Sequence, residues 1–440
     1  MENELRRGGL ATTPATNGTD LTRAPSAEGL AARIDAPEDG VRRCRIAFYS
    51  HDTMGLGHLR RNLLVAHTMA GSNLRAISLL VAGVREATAF PLPQNADCLT
   101  LPSLRKDKGG QYQSRSLDVS LKDVIAVRAA AISAAIEAFE PDVMIVDNVP
   151  RGAMQELDAT LRHLRARGRT KCVLGLRDVL DEPSAVRREW AKVLNEEAIR
   201  DYYDEIWVYG DPAVYDVVRE CQFAAEIAAK ARFVGYLDQR VRLALRPDDG
   251  ICSSSALGLS TDKFVLCSVG GGQDGSLLAE AFARAELPDD TSGVILTGPF
   301  MAADLLVRLR AIAAANSRMT VLEFFLEPAR LVRDAERVVI MGGYNSVCEA
   351  LSFEKPALIV PRVKPRMEQM IRGQAVRAWG LVDVLHPDQL NPQALTHWLQ
   401  EDKAAPQVHG RINFDGLFTI QALLEGLLRS APAEIVVSAS

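Results

Sequence analysis

The sequence predicts an α/β protein of two lobes, each a parallel sheet covered by helices, facing a central cleft. Three observations predict it. Short apolar runs alternate with helix-period segments along most of the chain, the pattern of parallel strands with covered faces. Two glycine-bearing turns, Gly55-Leu56-Gly57-His58 and Gly342-Gly343-Tyr344-Asn345-Ser346, stand about 290 residues apart, each after an apolar run and before a helix. Between the two series, Leu243 to Asp262 carries Pro, Asp-Asp-Gly and Ser-Ser-Ser, which is linker composition.

The elements follow in order. Residues 1–42 mix Thr, Ala, Pro, Gly and charges and read as a disordered leader without a signal-peptide core. Arg45 to Ser50 is a buried first strand, followed by a helix from His58 to about Ala70 that Gly71 terminates. Leu74 to Gly83 is the next strand, Val124 to Phe139 an alanine-rich helix, and Pro141 to Asp147 a strand with a polar tip. Lys171 to Leu176, Glu205 to Gly210 and Arg232 to Tyr236 complete the first series, residues 43–242.

After the linker at 243–262, strands are expected at Phe264 to Val269, Gly293 to Thr297, Met319 to Phe325, Val338 to Met341 and Ala357 to Val360. Helices are expected at Ser276 to Ala285, Met301 to Ala315 and Ser346 to Phe353, with an amphipathic helix from about Asn413 to Arg429 closing a second domain over 263–430. Residues 431–440 read as a loose tail. In such sheets ligands collect at the carboxyl ends of strands, where His58, Asp147 and Arg177 fall.

Composition narrows the function classes. A chain of 440 residues with 48% apolar and 24% charged residues has ample material for two cores. A net charge of −5 gives no general electrostatic reason to bind nucleic acid. The seven cysteines form no C-x-x-C pair and read as reduced thiols of a cytosolic protein. Nowhere do about 18 consecutive apolar residues occur, so no spanning helix is expected, while peripheral membrane contact stays open.

The turns carry the chemistry. A strand ending in glycine that feeds a helix lets backbone N–H groups and the helix dipole face an anion. Ser268 to Gly275, with Gly270, Gly271 and Gly272, has that form, although glycine runs also serve plain tight turns. Ser346-x-x-Glu349 can be a capping box or a binding glutamate. His58, at a helix start where the neutral ring is favoured, suits the reaction centre, by deprotonating an acceptor hydroxyl or by orienting phosphates. Asp147 and Asn148 at one strand tip, and Arg177 and Asp178 at another, are acceptor contacts or capped helix starts. Arg60-Arg61 is a solvated face or an anion contact; Arg362, Lys364 and Arg366 are further loop cations.

The stretch Glu323 to Glu327, Val338 to Leu351, Lys355 to Pro361 and Glu368 to Arg372 resembles the donor-binding half of glycosyltransferase family 28, which includes the UDP-N-acetylglucosamine transferase of peptidoglycan lipid-intermediate synthesis. It is similar also to a group of bacterial predicted glycosyltransferases. The resemblance covers most of the second domain and only Gly57 and His58 in the first. It implies a GT-B fold of two Rossmann-like domains, a UDP-sugar donor held by the second, and an acceptor in the first. It implies that Glu349 binds the donor ribose and that Phe325 presents its backbone to the base. Glu368, Gln369 and Arg372 match the helix that contacts the donor sugar, and Gly343, Asn345 and Ser346 lie in the donor turn.

Met341, Gly272 and Arg372 depart from the family pattern. The expected activity is metal-independent hexosyl or N-acetylhexosaminyl transfer to an acceptor the sequence does not specify, with the nucleotide sugar as substrate and no cofactor. No D-x-D pair stands at a strand end to hold a divalent ion. A nucleotide-sugar hydrolase or epimerase, and a non-catalytic nucleotide-sugar-binding protein, are the alternatives.

Overall fold

Apolar runs that would be costly to leave in water dictate the two sheets. The computed structural model describes residues 43–51, 56–106, 112–244, 256–272 and 274–429. The expected leader and tail, Gly55 and most of the linker lie outside the described residues.

Strands β1 (Arg45–Ser50), β2 (Ile77–Ala82) and β3 (Ala96–Thr100) begin the first sheet. The small hairpin β4 (Leu104–Lys106) and β5 (Tyr112–Ser114) stands apart from it. Then come β6 (Val143–Asp147), β7 (Lys171–Arg177), β8 (Glu205–Tyr209) and β9 (Ala231–Phe233), and the sheet order is β3-β2-β1-β6-β7-β8-β9. Every pairing in this sheet is parallel, with Phe48 of β1 aligned to Leu80 and Ile145.

The second sheet contains β10 (Lys263–Ser268), β11 (Thr291–Leu296), β12 (Met319–Leu322), β13 (Arg337–Ile340), β14 (Ala357–Ile359) and β15 (Asp383–Val384). Its order, β12-β11-β10-β13-β14-β15, is that of a Rossmann sheet, and its pairings are also parallel. Parallel sheets bury both faces, so their central strands are apolar throughout: Ile46, Ala47, Phe48 and Tyr49 are all buried, as are Val265, Leu266 and Cys267. Each large side chain so removed from water contributes roughly 1.5–3 kcal/mol.

The helices obey the same logic. Helix Leu121–Phe139 starts where the Ser120 hydroxyl accepts from Asp123 N, and it buries Val124, Arg128, Ile132 and Ile136, one face at four-residue spacing. The final helix, Gly416–Arg429, buries Leu417, Ile420, Leu424 and Leu427. Sequence grouped it with the second domain, but it packs on helix Gly57–Gly71 of the first lobe. Its approach is fixed by Asn413 N donating to Asp211 and Gly416 N donating to Tyr236 O. An amphipathic pattern shows that a face is buried without naming the surface that buries it. No helix among the described residues is long and apolar enough to cross a membrane.

Candidate functional site

Strand order reverses between β1 and β6 in one sheet and between β10 and β13 in the other, and ligands of open α/β sheets bind outside such switch points. Both points open on one cavity of about 990 Å³, lined by both lobes. That is near the upper end of the roughly 300–1,000 Å³ usual for ligand sites.

Most of the predicted residues meet here. Gly57, His58, Asn148 and Arg177 line the cavity from the first lobe. Gly270, Gly271, Gly272 and Phe325 line it from the second, as do Gly343, Asn345, Ser346, Glu349, Glu368 and Gln369. Asp147, Asp178 and Arg372 are absent from its wall.

Helix Gly57–Gly71 begins as the chain returns from the end of β1, so its first turn points His58 at the cavity. Behind the imidazole lies Asp147, fully buried at the tip of β6, with Oδ1 3.4 Å from His58 Nδ1. Arg61, one turn on, clamps that carboxylate: Nη2 donates to Oδ1 at 2.9 Å and to Oδ2 at 2.8 Å, and Nε to Oδ2 at 3.1 Å. Burial raises the Asp147 pKa, but the Arg61 guanidinium and then His58 outweigh it and hold the carboxyl well below the usual range. Arg61 also reaches 2.9 Å from His58 Nδ1 and lies 5.2 Å over the Tyr344 ring of the other lobe. Asp147 thus supports His58 and Arg61 rather than touching an acceptor. Arg61 is no solvated residue but almost fully buried.

Across the cavity, the turn after β13 feeds helix Tyr344–Ser352 with Gly343 as its N-cap and no side-chain cap. The capping box does not form, because the helix starts before Ser346 and leaves Glu349 in its second turn. Glu349 instead accepts from Arg60 Nη2 at 2.8 Å and lies 3.5 Å from Arg242, which pairs with Glu327 at 3.0 Å. Burial, then the neighbouring Arg60, push the Arg242 pKa down to about 10 despite both glutamates. Asn345 Nδ2 donates to Gly57 O at 3.0 Å, joining the two glycine turns, while its Oδ1 is buried without a partner.

Glu368 opens helix Glu368–Ala378 and lies 2.8 Å from Arg177 of the first lobe and 3.2 Å from Arg362. Burial raises its pKa, but Arg177, then Arg372, Arg362 and Arg366, bring it down to about 2. Gln369 accepts from Arg362 N at 2.8 Å, and Arg362 reaches Asp274 beside the first glycine turn. In that turn Gly272 has φ 96°, and a Cβ there would sit 2.3 Å from Thr297 O. Phe325 lies on the loop after β12, which ends three residues sooner than sequence indicated.

Two expected ligand contacts are taken by each other. Arg372 Nε donates to both Asp178 oxygens at 2.9 and 3.1 Å, and its Nη groups donate to Gly342 O and Val179 O. Both side chains are almost wholly buried, so the pair joins the lobes and neither reaches the cavity. A polar strand tip and a helix arginine look alike in sequence whether they meet a ligand or each other. Sequence missed Arg242, and it missed the pairing of Arg61 with Asp147 and of Glu327 with Arg242. Arg61 was detectable, being three positions after His58 on the same helical face.

Cationic side chains dominate the wall: Arg60, Arg61, Arg151, Arg177, Lys192, Arg362 and Arg366 face Glu189, Asp274, Glu349 and Glu368. A chain of net charge −5 therefore concentrates positive charge in this cleft, which favours an anionic ligand. Among the described residues no group of three or more His, Cys, Asp or Glu side chains is gathered for a metal ion.

No protein-family model matches the chain, and no curated protein matches it by sequence. Solved structures do match. The glycotransferase of kitacinnamycin aligns at TM-score 0.56 and 17% identity over 88% of this chain and 100% of its own. Staphylococcus aureus MnaA in its UDP co-structure aligns at 0.58 and 13% over 88% and 99%. The UDP-GlcNAc 2-epimerase of Neisseria meningitidis bound to UDP-GlcNAc aligns at 0.55 and 14% over 88% and 100%. The fold is GT-B. At these identities the likeness reaches the fold and stops there. Within a GT-B frame the cavity is the interlobe cleft, and its walls are the carboxyl ends of the two sheets.

Proposed function

We propose that this GT-B protein is a metal-independent glycosyltransferase that uses a nucleotide sugar, with UDP as the nucleotide. One observation carries the reading. The glutamate of the second lobe's glycine-turn helix, Glu349, and the histidine of the first lobe's, His58, line a single cation-rich cavity. Glu349 is the ribose ligand and Phe325 the base contact. The amides of Gly270 to Gly272 and Gly343 face the diphosphate, and Gln369 contacts the sugar.

Arg60 holds Oε1 of the Glu349 carboxylate at 2.8 Å, as Arg242 does at 3.5 Å, and the second oxygen, Oε2, is the acceptor for the ribose hydroxyls. His58 is the catalytic residue at the reacting centre. Asn148 and Arg177, at the ends of β6 and β7, stand on the acceptor side. Transfer forms a bond from the acceptor oxygen to the anomeric carbon and breaks that carbon's bond to the diphosphate oxygen, whose electron pair departs with the nucleotide. The acceptor proton passes to the departing diphosphate. The surplus of arginines stabilises the charge that develops there.

An epimerase reading has its own support, since an epimerase and a transferase align with the chain almost equally well, at TM-scores of 0.55 and 0.56. Calorimetry against UDP, GDP and dTDP with and without EDTA, followed by product analysis of UDP-GlcNAc, tests the proposal. UDP binding that survives EDTA, with sugar transferred to an acceptor, is expected. Epimerised sugar nucleotide would select the second reading, and loss of activity in EDTA would overturn the metal-free mechanism.

A further inference from the structure

Arginines line the cavity from both lobes, and nearly all of them are hydrogen-bonded to a carboxylate of the protein. Arg60 donates to Glu349, Arg61 to Asp147, Arg151 to Asp158, Arg362 to Asp274 and Arg366 to Glu189. Arg177, the last residue of β7, differs from these. Its Nε donates to Asn148 Oδ1 at a long 3.4 Å. Its Nη2 lies 2.8 Å from Glu368 Oε2, but that oxygen has no hydrogen-bond partner among the described residues, so the contact is a charge pair only. Nη1 has no partner among the described residues and is not sealed from solvent.

A guanidinium presents five N–H donors in a planar fork, and leaving them unmet in a largely buried place is costly. The Arg177 side chain is 15% exposed, so bulk water gives little compensation. Burial lowers its pKa and Glu368 raises it, but the nearby Arg372 and Arg61 leave it below its ordinary value. More positive charge is gathered around this side chain than the protein neutralises. The shape that satisfies such a fork is a carboxylate or a phosphate, which accepts two parallel N–H bonds.

The first lobe's share of the cavity wall also contains an apolar stretch. Val149 follows Asn148, Leu180 stands three residues after Arg177, and helix Pro183–Lys192 adds Val186 and Trp190. The Trp190 ring stacks on Phe223 at 4.8 Å, which holds it in place. Met154 lines the same cavity with half of its surface exposed. Apolar walls with a few placed polar groups are the usual build of a small-molecule site.

We infer that the acceptor is an acidic alcohol or phenol, with an apolar body against the first lobe's wall and a carboxylate or phosphate group bound by the Arg177 fork. The inference rests on the proposed transferase reading for the hydroxyl, while the anion site stands independently of it.

Calorimetry on the full-length protein without nucleotide tests it, using para-hydroxyphenylacetate, its neutral isostere para-hydroxyphenylacetamide, and para-hydroxybenzylphosphonate. At least one of the two anions should bind about tenfold or more tighter than the amide, the scale of a hydrogen bond to a charged group, and the tighter of the two tells carboxylate from phosphate. R177Q should bring acid and amide within about threefold of each other. R177Q/E368Q, which leaves no Glu368 carboxylate stranded, should do the same if the single variant folds poorly. Equal binding of anions and amide by the native protein, or no binding of any probe, would overturn the inference. So would a preference for the anion that survives in both variants, or a loss of UDP affinity in R177Q with the preference intact, which would assign Arg177 to the nucleotide. Failure of the native protein to bind UDP would instead refute the nucleotide-sugar reading, and the acid and amide comparison would still decide the anion site.

Discussion

Replacing Arg372 with methionine removes one half of a buried ion pair that ties the lobes together. The native guanidinium makes two contacts to Asp178 through Nε, a third at 2.8 Å through Nη2, and one bond each to Gly342 O and Val179 O. Its centre also lies 5.8 Å over Tyr344. With both side chains no more than 2% exposed, water cannot take over. Methionine fills much of the volume but strands the Asp178 carboxylate, a loss of about 3–5 kcal/mol for breaking a buried pair from one side. Adding D178N removes the stranded charge, so R372M/D178N should recover about 2 kcal/mol or more of that loss, leaving mainly two orphaned carbonyls at about 1 kcal/mol each. Urea unfolding of the native, single and double variants measures this, and small-angle scattering reports whether the lobes separate first. If R372M cost less than about 1 kcal/mol, or D178N failed to relieve it, the pair would not be what joins the lobes.

Other outcomes follow from the same contacts. E349A should leave the fold intact and weaken UDP binding by at least about tenfold, as loss of a charged hydrogen-bond partner predicts; calorimetry decides, and native affinity would return Glu349 to a purely structural role. The surrounding arginines, Arg177 first, bring the Glu368 carboxyl from an ordinary 4.5 down to about 2, so its ion pairs stabilise above about pH 4.5 and are lost as the pH falls towards 2. The full contribution is about 3 kcal/mol, of which about 2 kcal/mol is lost between pH 6 and pH 3, so E368Q should shrink the stability difference between those two pH values by about 2 kcal/mol in urea titrations. Gly272→Ala should distort the turn, since φ is 96° and the new Cβ would meet Thr297 O at 2.3 Å, lowering both melting temperature and UDP affinity. Gly343→Ala meets nothing within 4 Å, so it should melt like the native protein while binding UDP less well.

Strand positions were the most legible feature, because a parallel sheet buried on both faces forces unbroken apolar runs: β1 lies at the residues read as Arg45 to Ser50, and β13 and β14 begin within a residue of expectation. Edge elements were not. β3 is half-buried with the mixed sequence Ala96-Asp97-Cys98-Leu99-Thr100, and β15 has only two residues, so neither has an apolar signature. Helices Pro183–Lys192 and Asn195–Tyr202 were hidden for a related reason, since their charged faces outweigh the buried Val186, Trp190 and Ile199.

The glycine turns, His58 and Glu349 were legible because a strand-turn-helix junction is a local pattern. What met each side chain was not legible, because ion pairs such as Arg60–Glu349 and Arg372–Asp178 span separations of 289 and 194 residues. Sequence composition carries no record of such pairings. The final helix illustrates the same limit, its apolar stripe being visible and its partner lobe not.

The central claim is that the interlobe cavity holds a nucleotide sugar through Glu349 and the glycine turns. A crystal structure of the full chain with UDP tests it most directly. The account predicts electron density for the nucleotide in that cavity, with the ribose hydroxyls on the Glu349 carboxylate beside its 2.8 Å contact with Arg60. Nucleotide bound elsewhere, or bound with its ribose away from the Glu349 carboxylate, would contradict it.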